Sequence, residues 1–395
     1  MSFNITFNTP AEKLSASLPV TDAATKQVTN FHSGIDGYSV TPLVSLEALA
    51  KKTGVKQILV KDESYRFGLN AFKALGGSFA IASVLCEKFG LELNENTFFL
   101  LTSPEYADKI KDMTFITATD GNHGRGVAWT AMKLGCKACV YMPAGTVSER
   151  LENIRKTGAH AEITPWNYDD TVRFAKKTAE ENGWCLVQDT AWEGYHDVPL
   201  KVMQGYTTLG REIVSQIKEN GYSVPTHIFL QAGVGSMAAA AAGYLSDIWS
   251  ENRPVITVIE PDKADCLYKT AKAADGRLHT VKGALDSMMA GLSCGEPCPI
   301  AWDILKETAS AFISLSDDYS AFGMRTLGRP ENGDRKIVSG ESGAVTTGTA
   351  VKLMTDPGLK EYRDALGLNE NSVILTISTE GDTDKDNYRK ILSED

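Results

Sequence analysis

The feature that most constrains the fold is a regular alternation of short β-branched runs with longer amphipathic segments. The runs predicted as strands lie at 58–64, 138–145, 161–165, 184–189, 228–232, 255–261 and 372–378. The segments predicted as helices lie at 70–90, 168–183, 204–220 and 236–249, with one more that is capped by Thr146 or Ser148 and ends near 158. Strands that are apolar throughout are covered on both faces, as in parallel sheets. The pattern therefore predicts an α/β fold of doubly wound parallel sheets.

The length of the chain predicts more than one compact unit. Its 395 residues exceed the usual size of a single domain, so we expect a large domain with a smaller inserted one. The smaller domain is predicted at 91–205, where it contains a polar turn and the strand that ends at Asp189. The large domain then combines residues 1–90 and 206–395.

Charge and composition narrow the possible partners. The formal net charge is −10 and no basic domain is present, which argues against a nucleic-acid partner. No apolar run is long enough to cross a bilayer, and the first residues lack the pattern of a secretory signal. Seven cysteines, sparse and odd in number, favour reduced thiols. We expect a cytoplasmic protein with no membrane partner.

The segment NAFKALGG, which begins at Asn70, places a lysine near the start of an apolar helix. Lys73 would be poorly solvated there and unfavourably placed for the helix dipole. Desolvation favours the neutral, nucleophilic amine, so Lys73 is a candidate catalytic residue. The alternative is a lysine whose stem packs while its ammonium group reaches water.

A polar turn, TATDGNHGRG at 117–126, follows one predicted strand and precedes a helix. Exposed amides and hydroxyls at such a turn suit an anion, for example a carboxylate or a ring oxygen. Thr119, Asp120 and His123 are therefore candidate substrate-binding residues. The alternative is a plain glycine-rich turn in which His123 packs or caps.

Two further turns follow strands later in the chain. The segment at 231–237 reads as strand, glycine turn and helix, an arrangement that cradles a phosphate. Its candidate ligands are Gly233, Val234, Gly235, Ser236 and Met237. A dinucleotide-binding motif needs a final Gly or Ala and an acidic residue at the end of the next strand. Ala238 and Glu260 meet these requirements, so a nucleotide-binding site is an alternative for this turn. After the last strand, a hydroxyl in the segment 377–383 is suited to hydrogen-bond a heterocycle.

Taken together and in this order, the four segments resemble those of the tryptophan-synthase-β type of pyridoxal-phosphate enzymes, fold type II. That family has a lysine motif, an Asn-loop, a glycine phosphate loop and a late Ser or Thr that faces the pyridine nitrogen. The resemblance covers nearly the whole chain. The sequence most closely resembles the diaminopropionate ammonia-lyases in KDESYRFGLNAFKALGG, ATDGNHGRGVAW, QDTAWEGY, LQAGVGSMA, EPDKADC, AGLSCGEP, SGESGAV and STEGDTD.

The resemblance implies pyridoxal 5'-phosphate as the cofactor and assigns roles to the matching positions. Lys73 would bind the cofactor as a Schiff base, and Asn122 would bond its phenolic oxygen. Gly233 to Met237 would bind its phosphate, and Thr379, with Ser378 as the alternative, would face its ring nitrogen. The resemblance also implies a homodimeric carbon–nitrogen lyase that converts D- and L-2,3-diaminopropionate, a small amino acid, into pyruvate and two ammonia.

The sequence departs from the broader family at three places. Ala71 stands where a serine is usual, and the phosphate loop has fewer glycines; both weaken an assignment as a generic dehydratase. Asp120 stands in the Asn-loop where threonine and serine dehydratases usually have a small residue. An additional carboxylate in this loop has a chemical role in a diaminopropionate ammonia-lyase, so Asp120 favours that assignment.

Asp120 and Asp189 are the predicted acid–base pair. Carboxylates near the substrate hold its β-ammonium group, and each acts as a base if partly desolvated. On opposite faces of Cα they would serve the two enantiomers, Asp120 one and Asp189 the other. The alternatives are a turn residue at position 120 and a cap after the strand at position 189.

Other functions stay open on the sequence alone. One is a threonine or serine dehydratase, or a β-replacement synthase, on the same scaffold. Another is a non-catalytic protein that binds a phosphorylated ligand. Glu260, Asp262 and Asp265 resemble a place where some relatives bind a divalent ion, but their spacing is imperfect. We predict that these are solvated acids and that the protein holds no metal.

Overall fold

The computed structural model describes residues 2–119, 121–331 and 333–394. In chain order the strands are β1 (Phe3–Phe7), β2 (Leu43–Ser45), β3 (Gln57–Asp62), β4 (Thr114–Ala118), β5 (Lys137–Met142), β6 (His160–Ile163), β7 (Cys185–Leu186), β8 (His227–Gln231), β9 (Val255–Pro261), β10 (Ala311–Leu315) and β11 (Val373–Ser378). The helices are α1 (Asp22–Ser33), α2 (Glu47–Thr53), α3 (Ala74–Phe89), α4 (Thr97–Leu101), α5 (Pro104–Ile110), α6 (Asn122–Leu134), α7 (Ser148–Arg155), α8 (Tyr168–Asn182), α9 (Asp197–Asn220), α10 (Ser236–Ile248), α11 (Cys266–Ala273), α12 (Pro299–Thr308), α13 (Asp318–Gly328), α14 (Glu341–Thr355), α15 (Lys360–Ala365) and α16 (Lys385–Ser393).

The larger sheet has the strand order β1-β10-β9-β8-β11-β3-β2. Its five inner strands run parallel, and the edge strands β1 and β2 pair antiparallel with β10 and β3. Successive side chains of a strand point to opposite faces. Accordingly, Leu59 packs into one apolar core while Ile58 and Val60 pack into another. The predicted doubly wound α/β fold is confirmed.

The smaller sheet has the order β6-β5-β4-β7, and all of its strands are parallel. These strands lie inside the segment 91–205. The predicted boundary at 205 falls inside α9, which is continuous and packs against α3 and α10. At Gly205 an added Cβ would lie 2.5 Å from the backbone oxygen of Leu75, so glycine permits this close approach. The limits of the two domains stay a prediction.

Two predicted helix starts differ from the structure. Helix α3 begins at Ala74, not at Asn70, because Asn70 has a left-handed φ of 58° and Ala71 pairs with Glu380. The cap of α7 is Val147, not the predicted Thr146 or Ser148.

Within the described part of the chain, no helix combines the length and the apolarity needed to cross a membrane.

A buried network of charges fixes the turn after β3 to α9. Lys61 Nζ lies 2.6 Å from Glu212 Oε2, and Arg66 Nη1 lies 2.8 Å from Glu212 Oε1. Arg66 Nη2 also lies 2.9 Å from Glu63 Oε1, and all four side chains are buried. Buried charges need partners, because water no longer solvates them. The network therefore holds the turn that leads to the segment of Lys73.

We expect Glu212→Ala to lower the free energy of unfolding by about 3–5 kcal/mol, because two cations lose their shared buried carboxylate. Urea denaturation should show this loss, while Glu219→Ala, an exposed change on the same helix, should change stability little. Burial raises the pKa of Glu212, but Arg66 and Lys61 outweigh burial and lower it to about 2. The stabilisation should therefore be complete above about pH 4.5 and disappear as the pH falls through about 2. An unchanged unfolding midpoint in Glu212→Ala would contradict this account.

Candidate active site

A cavity lies at the carboxyl ends of the parallel strands, where open α/β sheets bind ligands. Both sheets contribute to it. Of the residues that the sequence singles out, those that line the cavity are Lys73, Asn122, Asp189, Gly233, Val234, Gly235, Ser236, Met237 and Thr379. Segments that are far apart in the chain therefore meet in one place.

The segment that carries Lys73 is held against the exit of β11 by backbone hydrogen bonds. Phe72 N donates to Thr379 O at 3.1 Å, and Gly381 N donates to Asn70 O at 3.0 Å. The left-handed conformation of Asn70, which asparagine tolerates well, turns the chain here. Lys73 is the N-cap residue of α3, so its side chain starts at the helix entrance and reaches the cavity.

Lys73 forms an ion pair with Asp189. Lys73 Nζ lies 3.1 Å from Asp189 Oδ2, and the hydroxyl of Tyr168 donates to Asp189 Oδ1 at 3.0 Å. Burial alone would raise the pKa of Asp189. The nearby Lys73 ammonium group, the neighbouring His123 and the hydrogen bonds from Lys73 and Tyr168 outweigh burial and hold the pKa of Asp189 well below its usual range. Asp189 is therefore a carboxylate poised beside the amine.

The side chain of Asn122 is oriented by Glu380. Asn122 Nδ2 donates to Glu380 Oε2, and the same carboxylate accepts from Ser342 N at 3.1 Å and from Thr383 Oγ1 at 3.2 Å. The Glu380 oxygens are acceptors in all three contacts, so the nitrogen end of the Asn122 amide faces them. The second N–H of Asn122 is then suited to an anionic oxygen in the cavity.

The turn between β8 and α10 has the features of a phosphate site. Among the described residues, no acceptor is within hydrogen-bond distance of the five consecutive backbone N–H groups of 233–237. They are buried at the start of a 13-residue helix, and α10 has no side-chain cap. Gly235 has a φ of 101°, which favours glycine. Unsatisfied amides at a helix N-terminus bind phosphate well, so this turn fits the phosphate of the cofactor.

Ser236 connects this turn to the smaller sheet. Its hydroxyl donates to the backbone oxygen of Asp189 at 2.6 Å. The predicted phosphate turn and the predicted acid–base residue are thereby held in fixed relative positions.

Thr379, and not Ser378, faces the cavity. Ser378 Oγ donates to Ser339 Oγ at 2.8 Å and is buried away from the cavity lining. Thr379 Oγ1 accepts from Gln231 Nε2 at 3.1 Å. Thr379 therefore lines the cavity, and its position beside a heterocycle stays a prediction.

Two predicted substrate-binding residues do not line the cavity. Thr119 Oγ1 accepts from Gly121 N at 2.9 Å and from Gly124 N at 3.0 Å, so it shapes the polar turn. His123 Nε2 donates to the backbone oxygen of Val187 at 2.8 Å and ties this turn to the chain after β7. Asp120, predicted for both substrate binding and catalysis, lies outside the described residues.

The prediction that Glu260 and Asp265 are solvated acids is wrong. Both are buried, and Glu260 accepts from Leu267 N at 2.9 Å and from Tyr268 N at 2.6 Å at the start of α11. Burial raises the pKa of Glu260 to about 8 despite these hydrogen bonds. In the described ranges, no group of three or more His, Cys, Asp or Glu side chains is arranged to hold a metal ion.

Several residues that hold the site residues in place were not predicted from the sequence. Gln188 Nε2 donates to Tyr168 OH at 2.9 Å, beside Asp189, and Gln231 and Glu380 hold Thr379 and Asn122. The available signal was a polar residue that ends an otherwise apolar strand, as Gln231 does in β8.

Comparisons with known proteins agree with this geometry. The family described as pyridoxal-phosphate dependent enzyme matches residues 35–379. Diaminopropionate ammonia-lyase of Escherichia coli (strain K12) is 49% identical over 369 residues, which cover 93% of this chain and 91% of the relative.

Solved structures give the same result. Diaminopropionate ammonia lyase from Escherichia coli, in complex with an aminoacrylate-PLP azomethine reaction intermediate, is similar with a TM-score of 0.90 and 46% identity, covering 99% of this chain and 97% of that one. The processed form of threonine deaminase isoform 2 from Solanum lycopersicum is similar with a TM-score of 0.73 and 20% identity. The match covers 99% of this chain and 91% of the threonine deaminase chain, and it shows a shared fold alone. The chain therefore belongs to the pyridoxal-phosphate-dependent enzymes and, among them, to the diaminopropionate ammonia-lyase family.

Proposed function

We propose that this protein is a carbon–nitrogen lyase that converts 2,3-diaminopropionate and water into pyruvate and two ammonia. The observation that carries the proposal is the cavity in which the Lys73 amine faces Asp189, beside the hydroxyl of Thr379 and five backbone amides that find no acceptor among the described residues. Together with the match to the diaminopropionate ammonia-lyases, this arrangement supports elimination from a small diamino acid over dehydration of threonine or serine.

The residues of the cavity fit pyridoxal phosphate part by part. Lys73 would hold its aldehyde carbon, the amides of 233–237 its phosphate, Asn122 its phenolic oxygen and Thr379 its ring nitrogen. When bound, the cofactor withdraws electrons from Cα of the amino acid, which makes loss of the Cα proton and departure of a β-substituent possible.

Asp189 is suited to move a proton at Cα or to hold the substrate's β-ammonium group. While the Lys73 ammonium faces it, Asp189 stays ionised. Once Lys73 Nζ is engaged elsewhere, burial remains the main influence on Asp189 and makes it a stronger base. We infer that Asp120 acts on the opposite face of Cα, so that the two carboxylates serve the two enantiomers.

A substrate screen tests the proposed function. Purified protein with pyridoxal phosphate should release pyruvate and ammonia in a ratio of one to two from D- and L-2,3-diaminopropionate. Pyruvate from serine should be minor. Formation of 2-oxobutyrate from threonine as the main activity would instead identify a dehydratase, and absence of any turnover would favour a binding protein.

Thr379→Asp should increase side transamination relative to elimination. A carboxylate would favour a protonated ring nitrogen, which makes the cofactor a stronger electron sink and prolongs the life of the carbanion. The ratio of the pyridoxamine form to pyruvate after many turnovers measures the effect, and we expect an increase of about tenfold or more. Thr379→Ser, which keeps the hydroxyl, is the matched control. An unchanged ratio in Thr379→Asp would place the ring nitrogen elsewhere.

We further infer that the protein is cytoplasmic and works as a homodimer. The support is the membership of its family, together with its sparse, buried or partly buried cysteines. Sedimentation of the purified protein as a single species of twice the chain mass tests the homodimer, and a monomeric mass would contradict it.

A further inference from the structure

Gln231, the last residue of β8, lies directly behind Thr379. The side chain of Gln231 is buried, and its Nε2 lies 2.9 Å from the backbone oxygens of both Ser342 and Ile377. Backbone oxygens only accept hydrogen bonds, so the nitrogen end of the amide must lie here. These two contacts fix the orientation of the amide independently of Thr379.

The fixed amide determines what the hydroxyl of Thr379 can do. Gln231 Nε2 lies 3.1 Å from Thr379 Oγ1, and an amide nitrogen donates but does not accept. The two hydrogens of this amide face three acceptors within 3.1 Å, so Thr379 Oγ1 shares one of them with a backbone oxygen. Thr379 Oγ1 is the acceptor in this contact, and its own hydrogen points away from the Gln231 nitrogen. In the part of the chain that the structure describes, Thr379 Oγ1 has no other hydrogen-bond partner, and this side chain lines the cavity. The hydroxyl hydrogen is therefore directed toward the cavity.

We propose that Gln231 is a positioning residue that keeps the Thr379 hydroxyl as a donor to the ring nitrogen of the cofactor and so holds that nitrogen unprotonated. A donor facing a protonated nitrogen would bring two hydrogens together, which disfavours the protonated form. The inference rests on the proposed function, because it requires pyridoxal phosphate with its ring nitrogen at Thr379.

Two variants change the direction of this hydrogen bond. Gln231→Glu is nearly isosteric, and a carboxyl oxygen accepts from Thr379 whether or not the group is protonated. Gln231→Met removes the donor without adding charge, so the Thr379 hydroxyl is free to turn its hydrogen out of the cavity. In both, the hydroxyl presents a lone pair to the cavity and accepts from a protonated ring nitrogen. Gln204→Met is the matched control, because this glutamine donates to Pro19 O at 2.9 Å away from the cavity.

The measurement is the nitrogen-15 NMR shift of pyridoxal phosphate labelled at the ring nitrogen and bound to the protein. A wild-type shift typical of an unprotonated nitrogen is expected. At a given pH, the protonated fraction should rise about tenfold, one pKa unit, in both Gln231 variants and stay at the wild-type value in Gln204→Met. With Thr379→Val as the background, Gln231→Met should have no further effect on the shift.

The outcomes separate the possible failures. A protonated ring nitrogen in the wild-type protein would overturn the inference without any variant, which covers the case in which Gln231→Met does not fold. Wild-type shifts in Gln231 variants that bind the cofactor would leave Gln231 with a purely structural role. Failure of the wild-type protein to bind the labelled cofactor would instead contradict the proposed function.

Discussion

Lys73→Ala is expected to lower kcat by at least about 10³-fold on both enantiomers of diaminopropionate. The structure places this amine at the entrance of α3, with Nζ 3.1 Å from Asp189 and inside the cavity. No other lysine lines the cavity among the described residues, so no neighbour replaces the lost amine. Continuous assay of pyruvate release measures the loss.

The matched control for this change is Lys133→Ala. Lys133 makes a surface ion pair with Asp36, at 3.7 Å, and its Nζ lies 5.8 Å from the centre of the Trp129 ring, outside the cavity lining, so its removal should leave activity nearly unchanged and stability little changed. Partial return of activity in Lys73→Ala on addition of a small primary amine would support a chemical role for the amine. Full activity of Lys73→Ala without added amine would contradict that role.

Asp189→Asn is expected to lower kcat/KM for one enantiomer by about 10²–10⁴-fold and to affect the other much less. Asparagine keeps the shape and the contact with Tyr168 but removes the charge that pairs with Lys73. The difference between the enantiomers follows if Asp189 serves one face of Cα and Asp120 the other. Parallel assays with D- and L-diaminopropionate measure the difference.

Asp170→Asn provides the control, because Asp170 is exposed on α8, where it pairs with Arg173, and it does not line the cavity as described. If Asp189→Asn lowered activity equally on both enantiomers, the proposal that Asp189 and Asp120 each serve one enantiomer would be rejected, but Asp189 would keep a catalytic role. Normal activity on both would leave Asp189 as a cap after its strand, the alternative that the sequence left open.

The position of the site was predictable because parallel strands bring their carboxyl ends to one edge of a sheet. Polar residues after several apolar runs therefore had to converge, and Lys73, Asn122 and Thr379 do so. The same reasoning could not predict β1 and β2, which form the edges of the larger sheet. An edge strand as short as the three residues of β2 carries no periodic signal.

Contacts between distant residues were beyond the sequence analysis. Gln231 and Thr379 are 148 positions apart, and Asn122 and Glu380 are 258 apart. Whether such residues form hydrogen bonds depends on the order of the strands in the sheets, and a single sequence does not determine that order. Glu260 shows the same limit, because its buried carboxyl group accepts hydrogen bonds from backbone N–H groups of α11 and does not face water, whereas the sequence had suggested a solvated acid.

The most direct measurement asks which residue binds the cofactor covalently. The protein would be saturated with pyridoxal phosphate, reduced with borohydride, digested and analysed by peptide mass spectrometry. The phosphopyridoxyl mass should appear on the peptide that contains Lys73 and be absent from the Lys73→Ala protein. Label on a different lysine, or no label on a protein that still releases pyruvate from diaminopropionate, would contradict the account.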